Sequence, residues 1–276
     1  MPIVTAYEDT PGGHDALVLG AQLARLTGLT NVVATVYPTD GLGYSAMARD
    51  PRWREKIEEV ARRRFGRARE LIGSTGPSEP EFAPLGPGPA AGVLADHAEE
   101  VGAAVLVVGS TGGGLLGRLA PGGTVQRLLP SARCPVGIAP RGYRHTAAKG
   151  ITVVTVAYDG TPEADRAAVL AVHLAGRTGA ALRFVVVAGG EEEVPAATDT
   201  AQKGLAQAPV EIDALYDVVI GRSVADTLAD LPERTDVLVV GSRGYPLMKR
   251  LLLGGVAGVL VRTARYPVIV VPPPDR

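Results

Sequence analysis

The glycine-rich segment VVGSTGGGLLGRLAPGGTVQRLL, residues 107–129, has residue types that could bind a phosphate group. Its seven glycines separate a continuous apolar run from an amphipathic one. Glycines bring backbone N–H groups close to an anion because no Cβ stands in the way. A helix that begins after such a loop adds its N-terminal amides and the positive end of its dipole. The segment is therefore a candidate phosphate-binding loop.

Three interpretations of this loop compete. Gly112, Gly114 and Gly117 spell G-x-G-x-x-G, but a dinucleotide fingerprint belongs to the first strand–helix turn of a Rossmann unit, with an acidic residue about 20 positions later. A Walker A loop needs G-x-x-x-x-G-K-[ST], and no Gly-Lys-Ser or Gly-Lys-Thr occurs in the sequence. A plain turn that joins a strand tightly to its helix stays open as the third interpretation.

An internal repeat separates the informative glycines from the others. AYEDTP at residues 6–11 recurs as AYDGTP at residues 157–162, and VLVVGSTG at residues 105–112 recurs as VLVVGSRG at residues 237–244. Both copies share the spacing G-x-x-G, nine residues, then G-G: Gly109, Gly112, Gly122 and Gly123 in the first copy, and Gly241, Gly244, Gly254 and Gly255 in the second. The G-x-G-x-x-G spelling is absent from the second copy, so it is incidental.

Each copy reads as alternating strands and helices. Apolar runs predict buried strands at residues 3–7, 31–37 and 104–109 of the first copy and at residues 152–158, 182–188 and 236–241 of the second. This alternation predicts α/β domains, each with a doubly wound parallel sheet that binds ligands at the carboxyl ends of its strands. We place the domains at residues 1–145 and 146–276.

The second copy is shorter than the first between its second and fourth strands. The offset between matching segments falls from 151 to 132, a loss of 19 residues. The first copy carries the helical and highly charged segment WREKIEEVARRRFGRARELI there. We expect a shortened helix or a loop at the corresponding place in the second copy.

Composition limits the classes of partner and compartment. A net charge of −1 over 276 residues gives no electrostatic reason to expect binding to nucleic acid or membranes. Cys134 is the single cysteine, which excludes a disulfide within the chain and favours a cytoplasmic protein. The four histidines have no metal-ligand spacing, and no G-x-S-x-G motif occurs, so we expect neither a metal site nor nucleophilic catalysis.

The repeated features resemble the universal stress protein family, in particular its ATP-binding branch. The resemblance lies in the shared glycine spacing, the Asp-Gly-Thr-Pro after the first strand and the closing CPV and YPV strands. It is found in both repeats, which together span nearly the whole chain. It implies tandem flavodoxin-like, adenine nucleotide alpha hydrolase-like domains. The last strands, PVGIAP and PVIVVPP, are expected to pair as an internal pseudo-dimer. Whether two chains form a further homodimer stays open.

The resemblance also implies a nucleotide site in each copy. In the family, the acidic residue after the first strand holds the ribose, the end of the second strand contacts the adenine, and the glycine loop holds the phosphates. The second site would comprise Asp159, Val187, Gly241, Gly244, Gly254, Gly255 and Val256, and the first Glu8, Val36, Gly109, Gly112, Gly122, Gly123 and Thr124. The implied ligand is ATP, AMP, cyclic AMP or another adenine nucleotide, with or without magnesium.

Departures from the family pattern distinguish the two sites. Gly123 and Gly255 stand where the family has a Ser or Thr, a loss of a hydroxyl that should weaken phosphate binding by roughly 1.5–3 kcal/mol. In the first copy Glu8 replaces the family's Asp, and Asp9 adds a charge beside it, although Thr124 could supply a hydroxyl. These differences favour the second site for nucleotide.

The expected function is a cytoplasmic sensor or regulator of a stress response that binds an adenine nucleotide. We expect little or no ATP turnover, because no general base, magnesium-ligand set or arginine finger can be identified. A nucleotide-free interaction module with an unidentified protein partner is one alternative, and a hydrolase or nucleotidyltransferase on the same fold is another. Asp159 and Glu8 also have an alternative role, as helix caps.

Overall fold

The computed structural model describes residues 1–37, 51–72, 79–86, 88–110, 123–177, 179–231, 235–242 and 255–273. In the first repeat it contains strands β1 (Ile3–Ala6), β2 (Asn31–Val36), β3 (Glu81–Leu85), β4 (Val105–Gly109) and β5 (Val136–Ala139). These strands alternate with helices α1 (Pro11–Thr27), α2 (Pro51–Ile72), α3 (Ala90–Glu100) and α4 (Gly123–Leu128).

The second repeat follows the short helix α5 (Tyr143–Thr146) and a 3-10 turn (Ala147–Lys149). Its strands are β6 (Val153–Ala157), β7 (Ala181–Ala188), β8 (Ala214–Ile220), β9 (Val237–Gly241) and β10 (Val268–Val271). Its helices are α6 (Pro162–Ala175), α7 (Val194–Leu205), α8 (Val224–Ala229) and α9 (Gly255–Thr263), with a 3-10 turn (Glu191–Glu193) before α7. Helix α7 has 12 residues against 22 in α2, so of the two alternatives expected here, a shortened helix or a loop, the structure has the shortened helix.

Within the described residues the strands form one ten-stranded sheet, in the order β3-β2-β1-β4-β5-β10-β9-β6-β7-β8. Each repeat contributes a parallel half whose winding reverses between its first and fourth strands. The halves join through β5 and β10, which pair antiparallel with Ile138 opposite Val268 and Gly137 opposite Ile269. The doubly wound α/β class and the internal pseudo-dimer are confirmed.

Helices cover both faces of the sheet, and small aliphatic residues fill the space beneath them. On one face α1 and α6 bury residues such as Leu19, Leu23 and Ala171. On the other face the buried residues include Leu94 and Leu260. The two-sided burial explains why the strands are apolar at consecutive positions. None of the described helices is both long and apolar enough to cross a membrane.

Candidate functional site

Each repeat has a cavity at the carboxyl ends of its strands, beside the point where the winding reverses. The cavity of the first repeat, hereafter the first cavity, has a volume of about 370 Å³. The corresponding second cavity has a volume of about 180 Å³. Doubly wound sheets bind their ligands at this position, because the loops on either side of the reversal diverge there and leave a crevice.

The cavities bring together the predicted site residues that the structure describes. Glu8, Val36, Gly109 and Thr124 line the first cavity, and Asp159, Val187, Gly241 and Val256 line the second. Gly123 and Gly255 are the first residues of α4 and α9, next to the lining residues Thr124 and Val256. The remaining predicted residues, Gly112, Gly122, Gly244 and Gly254, lie outside the described residues.

The helix that follows the first strand of each repeat is capped by a threonine. Thr10 Oγ1 accepts a hydrogen bond from Gly13 N at 3.2 Å, and Thr161 Oγ1 accepts one from Ala164 N at 3.3 Å. Asp159 is therefore not a helix cap, which was the alternative role expected from its sequence position. Its Oδ1 instead accepts from Thr161 N at 3.2 Å, which holds the carboxylate beside the second cavity.

The first glycine of the loop is required by packing. A Cβ on Gly109 would lie 1.9 Å from the backbone oxygen of Gly12, and one on Gly241 would lie 2.6 Å from the backbone oxygen of Glu163. The fourth strand of each repeat thus ends against the first turn of α1 or α6, with no room for a side chain. Since ligand binding is not needed to explain these two glycines, the plain-turn interpretation describes part of their role.

Asp9, which the sequence places near the first site, makes hydrogen bonds with two neighbouring side chains. Asp9 Oδ1 lies 2.7 Å from His14 Nε2 and accepts a hydrogen bond from Tyr7 Oη at 3.4 Å. The hydrogen bond with His14 holds the pKa of the Asp9 carboxyl below its usual range. Neither Asp9 nor His14 belongs to the described lining of the first cavity. The negative charge of Asp9 is therefore a weaker objection to the first site than the sequence suggests.

A different polar cluster occupies the corresponding place in the second repeat. Tyr158 Oη donates to Asp165 Oδ1 at 2.7 Å, and Gln207 Nε2 donates to both groups, at 2.8 and 2.7 Å. Burial, followed by the hydrogen bond to Asp165, raises the pKa of Tyr158 to about 12. Tyr158 is thus neutral near pH 7 and contributes its phenol only as a hydrogen-bonding group.

Sequence reasoning missed Glu163, which lines the second cavity. Its Oε1 lies 3.3 Å from Arg166 Nη2, and both side chains are 30% exposed. An acidic residue in the first turn of a helix is explained by the helix dipole alone. The one signal available in the sequence was its alignment with Gly12 of the first repeat, 151 positions earlier.

The described lining of each cavity combines apolar side chains with a carboxylate. In the second cavity Val185, Val187, Val224 and Leu228 supply an apolar wall for a base, and the Asp159 carboxylate can accept hydrogen bonds from ribose hydroxyls. Among the residues that the structure describes, no three or more His, Cys, Asp or Glu side chains are grouped so as to hold a metal ion.

Comparisons with known proteins identify the same family in both repeats. The family model described as "Universal stress protein family" matches residues 1–140 and 150–272. Universal stress protein Rv2319c of Mycobacterium tuberculosis (strain ATCC 25618 / H37Rv) is 30% identical, and the match covers 99% of this chain and 100% of that protein. Universal stress protein Mb2346c of Mycobacterium bovis has the same identity and coverage.

Solved structures share the fold across the whole chain. A universal stress protein from Archaeoglobus fulgidus DSM 4304 superimposes with a TM-score of 0.75 at 17% identity, covering 98% of both chains. A protein described as functionally unknown, PA1789 from Pseudomonas aeruginosa PAO1, superimposes with a TM-score of 0.64 at 15% identity, covering 99% of this chain and 92% of that one. Because the family model matches both repeats and relatives match the full length, the chain belongs to the universal stress protein family.

Proposed function

We propose that the protein is a cytoplasmic regulator of a stress response that binds an adenine nucleotide with little or no turnover. The observation that carries the proposal is the recurrence of one cavity in both repeats. In each, an acidic residue follows the first strand, a valine is one of the last two residues of the second, and a glycine ends the fourth: Glu8, Val36 and Gly109 in the first cavity, and Asp159, Val187 and Gly241 in the second.

Different residues of the described lining can contact the base, the ribose and the phosphates of such a ligand. The valine and neighbouring apolar side chains provide a surface for the base. The carboxylate after the first strand can accept from the ribose hydroxyls, and Thr161 fixes its position in the second cavity. Thr124, in the first turn of α4, adds a hydroxyl that can donate to a phosphate oxygen in the first cavity.

Filling the cavities one at a time tests the proposal. Val36→Trp and Val187→Trp should each abolish one binding event in calorimetric titrations with ATP, AMP or cyclic AMP, because an indole replaces the ligand's base. Val169→Trp is the matched control, since Val169 is 54% exposed on α6 and lines neither cavity. Absence of binding at millimolar concentrations, with no nucleotide released from the denatured protein, would contradict the proposal.

The absence of rapid turnover is tested separately. Purified protein incubated for hours with ATP and magnesium should release little inorganic phosphate above a blank without protein. Sustained release that Val36→Trp or Val187→Trp abolishes would show turnover at one of these cavities. The function would then be that of an ATPase.

A nucleotide-free interaction module is the second candidate. It is favoured by the packing role of Gly109 and Gly241, which explains part of the glycine loop without a ligand. Gly255→Ser separates the two candidates, because it restores the family's hydroxyl at a position where an added Cβ meets nothing within 4 Å. A nucleotide-binding protein should gain roughly tenfold or more in ATP affinity from one charge-assisted hydrogen bond. A nucleotide-free module should remain unable to bind ATP.

A further inference from the structure

We propose that the outer edge of β8 is a dimerisation surface, on which β8 of a second copy of this chain pairs in the antiparallel direction. Strand β8 ends the sheet in the second repeat and lines neither cavity. The inference therefore goes beyond the proposed function and does not depend on nucleotide binding.

The outer edge of β8 has unpaired backbone groups. On the inner edge, Asp213 O accepts from Leu182 N at 2.8 Å. Gly221 N donates to Ala188 O at 2.9 Å. Because backbone groups alternate in direction along a strand, the odd-numbered residues of β8 point theirs towards β7. The even-numbered residues point theirs outwards, and no backbone hydrogen bond in the described part of the chain uses these groups: Ala214, Tyr216, Val218 and Ile220. Such an edge is a template for another strand.

The first repeat blocks the equivalent position of its own edge strand with a proline. In β3, Pro84 stands opposite Thr35 of β2. In β8, Val218 stands opposite Val186 of β7. Thr35 and Val186 are 151 positions apart, which is the repeat offset, so Pro84 and Val218 are structurally equivalent. Proline has no N–H to donate and is one of the residues that keep edge strands from pairing. The second repeat lacks this block.

Apolar side chains are exposed along the same edge. Leu215 is 37% exposed and Ile220 is 47% exposed, while Val210, just before the strand, is fully exposed. Part of the cause is a shorter covering helix. Helix α3 has 11 residues and packs on β2 and β3, whereas α8 has 6 residues and packs on β7. Pairing with another strand would remove this apolar surface from water.

Charges at the two ends of β8 favour a second copy in the antiparallel direction. Asp213 precedes the strand and Arg222 follows it, and both residues are exposed. Neither side chain has a hydrogen-bond or ion-pair partner among the described residues. In an antiparallel pair, Arg222 of each copy comes to the end that carries Asp213 of the other. A parallel pair would place like charges side by side, which is unfavourable.

One register of this pair uses the outer edge without opposing like charges. With Val218 on the two-fold axis, the outward backbone groups of Val218 face each other, and those of Tyr216 face Ile220 of the second copy. Asp217 then lies opposite Val219 of the second copy rather than opposite another carboxylate. Within its own chain Asp217 forms an ion pair with Arg183, so it brings no uncompensated charge to the middle of the strand.

Sedimentation velocity of the full-length protein over a range of concentrations tests the proposal. Two paired seven-residue strands make a small interface, so we expect a dimer with a dissociation constant on the order of 1–100 µM. Hydrogen exchange followed by NMR locates the contact. The outward amides of Tyr216, Val218 and Ile220 should exchange more slowly at high than at low protein concentration.

Two variants of the edge should weaken the dimer while the chain stays folded. Val218→Pro copies the first repeat and removes the N–H at the two-fold axis, so we expect the dissociation constant to rise about tenfold or more. Ile220→Lys places a charge on the edge without altering the backbone and should have an effect of similar size. Val169→Lys, at a residue 54% exposed on α6, is the matched control and should leave the dissociation constant unchanged. Circular dichroism checks that each variant is folded.

A charge exchange tests the direction of the pair. Arg222→Asp should weaken the dimer by roughly twofold to tenfold, because exposed ion pairs contribute little each. Adding Asp213→Arg to the same chain should restore most of the loss, since opposite charges would again meet at both ends.

The outcomes decide whether a second copy occupies this edge. A parent protein that stays monomeric at concentrations well above about 100 µM would overturn the proposal. It is equally overturned if a dimer persists unchanged in folded Ile220→Lys and Val218→Pro, because the contact would then lie elsewhere. A dimer that both edge variants weaken, that Val169→Lys leaves intact and that the charge exchange restores supports it.

Discussion

Asp15 ties the segment between the two repeats to the first helix, and its removal should destabilise the protein measurably. The carboxylate is fully buried in α1. Its Oδ2 accepts from Gly142 N at 2.7 Å, and its Oδ1 accepts from Arg144 N and Arg144 Nη1, both at 3.0 Å. Asp15→Ala removes the acceptor of all three bonds and leaves the donors in place. The second repeat has Arg166 at the equivalent position, so it offers no copy of this arrangement.

The expected cost follows from the burial of the donors. The Gly142 N–H is buried, and a buried unpaired donor costs about 1–3 kcal/mol. The Arg144 N–H is half-buried and should cost less. The ion pair contributes a smaller part because the Arg144 side chain is 27% exposed and is screened by water. We therefore expect Asp15→Ala to lower the free energy of unfolding by about 3–4 kcal/mol, as the sum of one buried donor, one half-buried donor and a screened ion pair.

Equilibrium unfolding in urea, followed by circular dichroism, measures this change. Arg144→Ala is the control, because it removes the guanidinium and keeps both backbone N–H bonds to Asp15; we expect a loss of about 1 kcal/mol. The reasoning is refuted if Asp15→Ala costs less than about 1 kcal/mol. It is also refuted if Arg144→Ala costs as much as Asp15→Ala, since the ion pair would then dominate over the capping of the backbone.

Three further predictions concern packing and charge. Gly109→Ala should lower the free energy of unfolding by about 2 kcal/mol or more, because its Cβ would lie 1.9 Å from a backbone oxygen of α1. A Cβ added at Gly123 meets nothing within 4 Å, so Gly123→Ala should change the free energy of unfolding by less than about 1 kcal/mol in the same urea titration. Ile269→Ala, fully buried where β10 meets β5, should cost about 2–5 kcal/mol, and a loss below this range would mean that the junction tolerates a cavity. His14→Ala should raise the pKa of the Asp9 carboxyl towards its ordinary value, which an NMR titration measures. Because the pKa of Asp9 is lower in the folded than in the unfolded protein, its contribution to stability is present above pH about 4 and is lost as the pH falls through the folded value.

The strands and the sheet edge that carries the site were predictable from local pattern. The apolar run at residues 3–7 becomes β1 at Ile3–Ala6, and the run at residues 182–188 lies within β7 at Ala181–Ala188. A continuous run of this kind is buried on both faces, which fits a parallel sheet. The family resemblance implies Val36 and Val187 as site residues, and both line the cavities at the edge where the carboxyl ends of the parallel strands meet.

Other parts of the site could not be predicted, because they depend on contacts between neighbouring groups. The position of Asp159 in the sequence also fits a helix cap, but Thr161 caps the helix and donates a hydrogen bond to Asp159. The sequence places the charge of Asp9 near the first site, but its carboxylate pairs with His14, and Asp9 is not among the described lining residues of the first cavity. In both cases the acidic residue type indicated a group that accepts hydrogen bonds, but the sequence did not show which neighbour within a few residues would be its partner.

The sequence by itself determined the repeat, the α/β class and the sheet edge where the cavities lie, because hydrophobic periodicity and turn residues act over a few positions. Only the tertiary structure decided that Gly109 and Gly241 must lack side chains and that Glu163 lines the second cavity. It also decided that Asp15 accepts hydrogen bonds from residues 127 and 129 positions later in the chain. These properties depend on how closely distant segments approach one another. That distance is set by the packing of helices on the completed sheet.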